Sequence, residues 1–322
     1  MDSEKSVIFA LSGSQALAEE VCWYAGTSLG KCDVNHFSDG EILVQLGESV
    51  RGKKVYIIQS TNAPVSNNLM ELLICIDACK RASAATINAI VPYYGYARQD
   101  RKAEPRQPIT AKLVADLLET AGADRIVTCE LHASQIQGFF NIPADDISII
   151  CILANYLVSK GLVGDDVVVV SPDHGGTTRA RRLANFLHCP LAIIDKRRPR
   201  PNVAMAMNLI GSVDGKKAIV VDDIVDTAGT LMAGIDMLYD HGAEEVYTAC
   251  VHGVLSGPAI ERIRDSRIVE FICTNTIDQT DKIPLLEKMS VISVAEVLAS
   301  VICNIDEGKS MSQAIQRFSE NL

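Results

Sequence analysis

The chain has 322 residues, a length that suits two domains of ordinary size. Hydrophobic residues make up 48% and charged residues 22%, the balance of a packed soluble protein and not of a disordered one. The formal net charge of −10 argues against generic binding to nucleic acid or to an anionic membrane, although a local basic site can exist on an acidic protein.

Alternating apolar runs and amphipathic segments predict strands over 54–59, 85–91, 125–131, 166–170, 191–194, 218–221, 246–251 and 269–274. Helices are predicted over 68–81, 111–120, 177–187, 230–240, 258–265 and 294–304, with Gly122 and Gly242 as stops. Strands alternating with helices make this an α/β chain with mainly parallel sheets. Residues 122–132 (G-A-D-R-I-V-T-C-E-L-H) and 242–252 (G-A-E-E-V-Y-T-A-C-V-H) share Gly, Ala, Thr and His in one register, which reads as a duplicated helix–strand unit. The domain boundary is expected near 145–154. Ten cysteines form no C-x-x-C pair; Cys75 and Cys79, one helical turn apart in an apolar pattern, read as core. The charged start, Met1–Lys5, leads into only a short apolar run, and no signal peptide or membrane span is visible. Reduced thiols in a cytoplasmic enzyme fit this.

The segments that carry chemistry follow strands. Residues 37–41, F-S-D-G-E, form an acidic turn built around a glycine. Residues 47–54, G-E-S-V-R-G-K-K, imitate a nucleotide-binding P-loop but lack its Ser/Thr and lead into a strand, so that reading is rejected. In residues 92–102, P-Y-Y-G-Y-A-R-Q-D-R-K, tyrosines interleave with Arg98, Arg101 and Lys102. That pattern suits RNA stacking, a nucleoside triphosphate or a solvated loop, and the acidic whole disfavours RNA. His132 and Asp173 each close a strand and could help position a magnesium ion whose shell phosphates and water complete. Residues 196–201, K-R-R-P-R-P, read as a localisation signal, a solvated loop or a source of cations for a transferring phosphoryl group.

The most informative run is 218–231, A-I-V-V-D-D-I-V-D-T-A-G-T-L. An apolar strand ends in Asp222 and Asp223; a loop over 226–230 then opens a helix, with Asp226, Thr227 and Thr230 as candidate caps. Gly229 lets backbone approach a ligand, and amides at such a helix start bind anions. Acids for sugar hydroxyls beside amides for phosphate suit a sugar phosphate.

This run resembles the phosphoribosyl pyrophosphate-binding motif of phosphoribosyltransferases and phosphoribosyl pyrophosphate synthetases. Joined in order to F-S-D-G-E, N-L-M-E-L-L, Y-A-R-Q-D-R-K, L-H-A-S-Q-I-Q-G-F-F, S-P-D and D-K-R-R over essentially the whole chain, it resembles the ribose-phosphate pyrophosphokinase family. The resemblance implies two tandem type I phosphoribosyltransferase-like domains, each a mainly parallel sheet flanked by helices: 1–149, joined by the tail 304–322, and 150–303, carrying the ribose 5-phosphate site. It implies transfer of the β,γ-diphosphoryl group of MgATP to the anomeric hydroxyl of ribose 5-phosphate. The products are AMP and phosphoribosyl pyrophosphate, the latter for nucleotide, histidine and tryptophan biosynthesis.

By the same resemblance, Phe37, Asp39 and Glu41 contact adenine from a neighbouring subunit, and Arg98 and Gln99 hold ATP. His132 and Asp173 serve Mg2+ and the phosphates. Asp222 and Asp223 bind the ribose hydroxyls; Asp226, Thr227, Ala228, Gly229 and Thr230 cradle the 5-phosphate; Lys196 and Arg198 stabilise the transition state. Ser49, Arg51, Ser134, Gln137, Ser310 and Ser312 match the regulatory segments of the phosphate-dependent class, activated by phosphate and inhibited by ADP. The family implies dimers assembling to a hexamer. His174, Thr177–Thr178, Met205 and Met207 depart from the pattern of some members. Two rivals are a phosphoribosyltransferase, which has no need of F-S-D-G-E or Y-A-R-Q-D-R-K, and a catalytically silent regulatory paralogue, against which the presence of Lys196, Arg198, His132 and Asp173 argues.

Overall fold

A computed structural model describes residues 1–2, 4–197 and 206–320 of the chain. Two units cluster separately: Met1–Ser148 with Thr276–Asp278 and Ser293–Arg317, and Ile149–Asn275 with Gln279–Ile292 and the residues from Phe318.

The first unit starts with β1 (Ser6–Ala10), α1 (Gln15–Ala25) and an antiparallel hairpin of β2 (Cys32–His36) and β3 (Ile42–Leu46). It continues with β4 (Lys54–Ile58), α2 (Val65–Arg81), β5 (Thr86–Val91), α3 (Thr110–Ala121), β6 (Arg125–Cys129) and β7 (Ala144–Ile147). Its sheet is wholly parallel, in the order β1-β4-β5-β6-β7, which is chain order. Ala111, Val114, Ala115 and Leu118 of α3 are buried at helical spacing, and Gly122 ends the helix at φ 121° with its amide on Leu118 and Glu119. Cys75 and Cys79 of α2 lie in the same core.

The second unit comprises α4 (Ile150–Ser159), β8 (Val167–Ser171), α5 (Thr177–Phe186), β9 (Leu191–Arg197), β10 (Ala206–Ile210) and β11 (Lys217–Val225). Then come α6 (Gly229–Asp240), β12 (Glu245–Gly253), α7 (Ala259–Asp265), β13 (Glu270–Thr274) and β14 (Met289–Ile292). The sheet order is β10-β9-β8-β11-β12-β13-β14, parallel except for the β10–β9 pair. β8 reads V-V-V-V-S and is buried throughout, as a strand covered on both faces requires. The chain returns to the first unit as α8 (Ala295–Asp306) and α9 (Met311–Gln316). There α8 packs on α1, the Ser6 hydroxyl donates to the Asp306 carboxylate, and Lys54 Nζ donates to the Asp306 carbonyl at 2.5 Å.

The α/β class and the parallel sheets are as the sequence led one to expect, and every predicted strand and helix is present with shifted ends. The shared register of the two repeats corresponds to α3–β6 and α6–β12, and Gly242, like Gly122, has positive φ at 89°. The β2–β3 hairpin has no clean sequence signature because its strands are only five residues each and half exposed, and β3, I-L-V-Q-L, does not alternate. α4 escaped because I-C-I-L-A-N-Y-L-V lacks a polar face that would give it a helical period. Among the described residues no helix is long and apolar enough to cross a membrane.

Candidate active site

The second sheet contains a reversal. From β8 the chain crosses through α5 outward to β9; from β11 it crosses through α6 the other way to β12. Ligands of open α/β sheets favour the crevice at the carboxyl ends of the two strands flanking such a switch. Here those ends carry residues 172–176 after β8 and 226–228 after β11. β11 pairs with β8 from Lys217 to Val220, then runs on beside β12 alone as far as Val225. Asp222 and Asp223 therefore lie inside the strand, not after it, where β11 has left its β8 partner.

Arg179 of α5 fills that gap. Its Nη1 donates to Asp223 Oδ1 at 3.2 Å and lies 3.7 Å from Asp222 Oδ1, and its side chain is 11% exposed. Asp222 Oδ1 accepts the Asp223 amide at 2.9 Å. Burial, followed by the hydrogen bond and charge of Asp223, raises Asp222 well above the usual carboxylate range; Arg179 opposes this and Asp173 adds to it. Two carboxylates and one nearly buried guanidinium thus form an acceptor-rich edge suited to hydroxyl donors.

The loop after β11 is tighter than expected. α6 begins at Gly229, and its N-cap is Ala228, left-handed at φ 57°, ψ 4°, with no side-chain cap from Asp226, Thr227 or Thr230. A left-handed alanine costs about 1–2 kcal/mol, so its surroundings must hold it. The Asp226 carboxylate accepts the Ser256 hydroxyl, the Asp226 carbonyl accepts the Ser256 amide at 3.1 Å, and Arg262 Nη1 donates to the Thr227 carbonyl at 2.8 Å. A left-handed residue followed by a helical one turns successive amides to one side, and the first amides of a helix have no partner within it. The five loop residues named from the sequence are thereby brought together in one tight turn.

Asp173 is exposed after β8, its Oδ1 accepting the Gly176 amide at 3.0 Å, which ties off the start of α5. His174 Nε2 lies 2.9 Å from Asp195 Oδ1 near the end of β9. The backbone of Lys196 belongs to β9, while Arg198 lies outside the described residues.

In the first unit, Phe37, Asp39 and Glu41 form the exposed tip of the β2–β3 hairpin. The Phe37 amide donates to the Glu41 carbonyl at 2.8 Å, the Glu41 amide to Asp39 Oδ1 at 3.1 Å, and Gly40 takes φ 92°. After β5, Tyr93 and Tyr94 are buried and the Tyr94 hydroxyl donates to the Ala111 carbonyl, so these two rings are core and cannot stack on a base. Arg98 and Gln99 sit exposed on a 3-10 turn entered through left-handed Tyr96, with Thr110 Oγ1 donating to Gln99 Oε1 at 2.5 Å. His132 is exposed after β6, whose end is held by Asp146 Oδ1 accepting the Leu131 amide at 2.9 Å.

The residues matched to the regulatory segments occupy three elements of this unit. Ser49 and Arg51 lie in the turn between β3 and β4, with Arg51 Nη1 donating to Ser83 Oγ at 3.3 Å. Ser134 and Gln137 share a 3-10 turn, with Gln137 Nε2 donating to the Ser134 carbonyl at 3.2 Å. Ser310 stands at the N-cap position of α9 without a side-chain capping hydrogen bond, and Ser312 lies in that helix's first turn.

Sequence reasoning missed Arg179, Ser256 and Arg262, which stand on helices or turns outside the motifs; only the fold puts them beside Asp223, Asp226 and Thr227. A cavity of about 400 Å³ opens at the amino ends of the second sheet's strands, lined by Lys160, Lys217, Tyr247, Glu270 and Lys288. Lys160 pairs with Glu270 at 3.4 Å and Lys217 with Glu245 at 3.3 Å, so carboxylates already meet two of its cations, and it lies at the wrong strand ends for the site above.

Comparison with known proteins gives the same assignment. The model of the N-terminal domain of ribose phosphate pyrophosphokinase matches residues 6–122, and that of the phosphoribosyl synthetase-associated domain matches residues 196–316. A ribose-phosphate pyrophosphokinase of Caldanaerobacter subterraneus is 60% identical over 306 residues, covering 95% of this chain and 96% of the relative. One from Halalkalibacterium halodurans is 56% identical over 305 residues, with 95% and 96% covered. Among solved structures, phosphoribosylpyrophosphate synthetase from Mycobacterium smegmatis matches with a TM-score of 0.89 at 41% identity, covering 94% of this chain and 99% of its own. The fold is thus that of an α/β enzyme built on two sheets. The chain belongs to the ribose-phosphate pyrophosphokinase family.

Proposed function

We propose that the protein transfers the β,γ-diphosphoryl group of MgATP to the anomeric hydroxyl of ribose 5-phosphate, giving AMP and phosphoribosyl pyrophosphate for nucleotide, histidine and tryptophan biosynthesis. The observation that carries this reading is the joining of Asp222 and Asp223 to the Ala228–Gly229 amide turn at one switch point. Amides of residues 226–230 take the 5-phosphate, and the carboxylates accept hydrogen bonds from the ribose hydroxyls. Binding both ends of the sugar fixes its anomeric oxygen, which is the entropic half of the catalysis.

That oxygen attacks the β-phosphorus: the new O–P bond forms, the bond to the oxygen bridging to the α-phosphorus breaks, AMP departs with the electron pair, and the hydroxyl proton is released. Lys196 and Arg198 offset the negative charge that spreads over the transferring group. Arg98 and Gln99 hold the nucleotide, and Phe37, Asp39 and Glu41, on an exposed hairpin tip, reach adenine on a neighbouring subunit of a homo-oligomer built from dimers up to a hexamer. Asp173, an exposed carboxylate of hard oxygen donors, suits Mg2+, with His132 beside the phosphates. When bound, that ion neutralises phosphate charge. Phosphate and ADP act through Ser49, Arg51, Ser134, Gln137, Ser310 and Ser312, and the enzyme works in the cytoplasm.

The test is AMP and phosphoribosyl pyrophosphate formation from MgATP and ribose 5-phosphate, with and without inorganic phosphate. Product only with phosphate supports the reaction and its regulation; equal product without it removes the regulation; no product from folded protein removes the reaction.

A further inference from the structure

The loop after β11 is held from outside by a residue that belongs to none of the motifs. Arg262 stands on α7 and donates Nη1 to the Thr227 carbonyl at 2.8 Å. The same Nη1 lies 3.1 Å from where a Cβ on Gly229 would sit, so the guanidinium packs directly against the first residue of α6. In a trans peptide the carbonyl and the following N–H point in opposite directions. Pinning the Thr227 carbonyl on Arg262 therefore turns the Ala228 amide to the other side of the loop. Ala228 is left-handed and Gly229 helical, the alternation that brings successive amides into one concavity.

We propose that Arg262 is a positioning residue for the 5-phosphate: it fixes the direction of the Thr227–Ala228 peptide, compensates the strain at Ala228, and adds a positive charge behind the amide turn. This rests on the reading of residues 226–230 as the sugar-phosphate cradle. A methyl group at position 229 would meet the guanidinium at 3.1 Å and shift it by a few tenths of an ångström. Ser256, holding Asp226 from the same side, completes the brace.

The experiment compares the unmodified full-length enzyme with Arg262→Met, which keeps the apolar stem without the donor, and with Arg262→Lys, which keeps the charge without the fork. Steady-state kinetics are measured with each substrate varied, and ribose 5-phosphate binding is measured by calorimetry without nucleotide. Arg262→Met is expected to raise the ribose 5-phosphate KM and Kd about tenfold, the size of a lost charge-assisted hydrogen bond. Its MgATP KM should move less than about twofold and its kcat fall less than about threefold, because the brace acts on sugar binding and not on the transfer itself. Arg262→Lys should fall between Arg262→Met and the unmodified enzyme. An unchanged ribose 5-phosphate KM in Arg262→Met, or an equal rise in both KM values, overturns the proposal. If Arg262→Met does not fold, Arg262→Lys decides alone, and no rise in its ribose 5-phosphate KM overturns it. Failure of the unmodified enzyme to bind ribose 5-phosphate sinks the cradle reading and this proposal with it; binding that Arg262→Met leaves unchanged sinks the role of Arg262 only.

Discussion

The two units share a strand–helix–strand module, β5–α3–β6 in one and β11–α6–β12 in the other, but embed it differently. In the first, sheet order equals chain order; in the second, the chain leaves β8 and β11 in opposite directions and opens a crevice between them. The equivalent turns differ accordingly. After β11 the chain enters its helix within residues 226–228; after β5 it wanders through residues 92–109 first. Both turns contain a left-handed non-glycine, Ala228 at φ 57° and Tyr96 at φ 66°. Glu130 after β6 and Leu255 after β12 repeat this at φ 46° and 50°. The strain is common to both sheets at their carboxyl ends, while the crevice belongs to one. Backbone strain alone therefore does not distinguish the two sheets; the reversal in strand order does, by freeing the end of β11, with Asp222 and Asp223, from its β8 partner beside α5.

The comparison breaks if substitutions on one side affect the substrate of the other. The largest expected effect is at the transferring group: Lys196→Ala should lower kcat by about 10²–10³-fold with a much smaller change in ribose 5-phosphate affinity, as for a lost transition-state donor. Next, Arg98→Ala should raise the MgATP KM by about 10–100-fold, the loss of a charge-assisted phosphate contact, and leave the calorimetric Kd of ribose 5-phosphate unaltered.

Glycine-to-alanine changes sharpen the contrast between the two turns. A Cβ on Gly95 would lie 2.4 Å from the Thr61 carbonyl oxygen, which is backbone and cannot yield, so Gly95→Ala should cost about 1–3 kcal/mol in denaturant unfolding. Gly229→Ala meets only the mobile end of Arg262 and should cost under about 1 kcal/mol while still weakening ribose 5-phosphate binding.

The smallest effect concerns Asp222. Because its carboxyl titrates well above the usual range in the folded protein, the folded state holds a proton that the unfolded chain releases. Its contribution to stability is therefore lost as pH rises from the ordinary aspartate range through the raised value. Asp222→Asn removes that penalty. The variant should melt above the unmodified protein at neutral and alkaline pH, and the two melting curves should converge toward acid. A variant that melts lower at neutral pH would show that the negative charge, through Arg179, stabilises the fold.

The motifs were legible because their residues are close in the chain. V-V-D-D-I-V-D-T-A-G-T contains strand, acids, turn and helix start in one run, and F-S-D-G-E contains its own turn. The tyrosines of residues 92–96 left their roles open because composition does not say which ring faces the core: Tyr93 and Tyr94 are buried, and the Tyr94 hydroxyl donates to Ala111 of the helix that follows. The hairpin strands and α4 were illegible for want of a period, the strands being only five residues each and α4 too uniformly apolar.

By itself the sequence determined the α/β class, the repeated module and the family, since each rests on local periodicity or on contiguous spacing. Only the tertiary structure decided that Asp222 and Asp223 lie within a strand that has outrun its neighbour, that Arg179 bridges them, and that Arg262 and Ser256 clamp the turn after β11. Those contacts join residues far apart in the chain, and sheet order, which no local pattern encodes, is what brings them together.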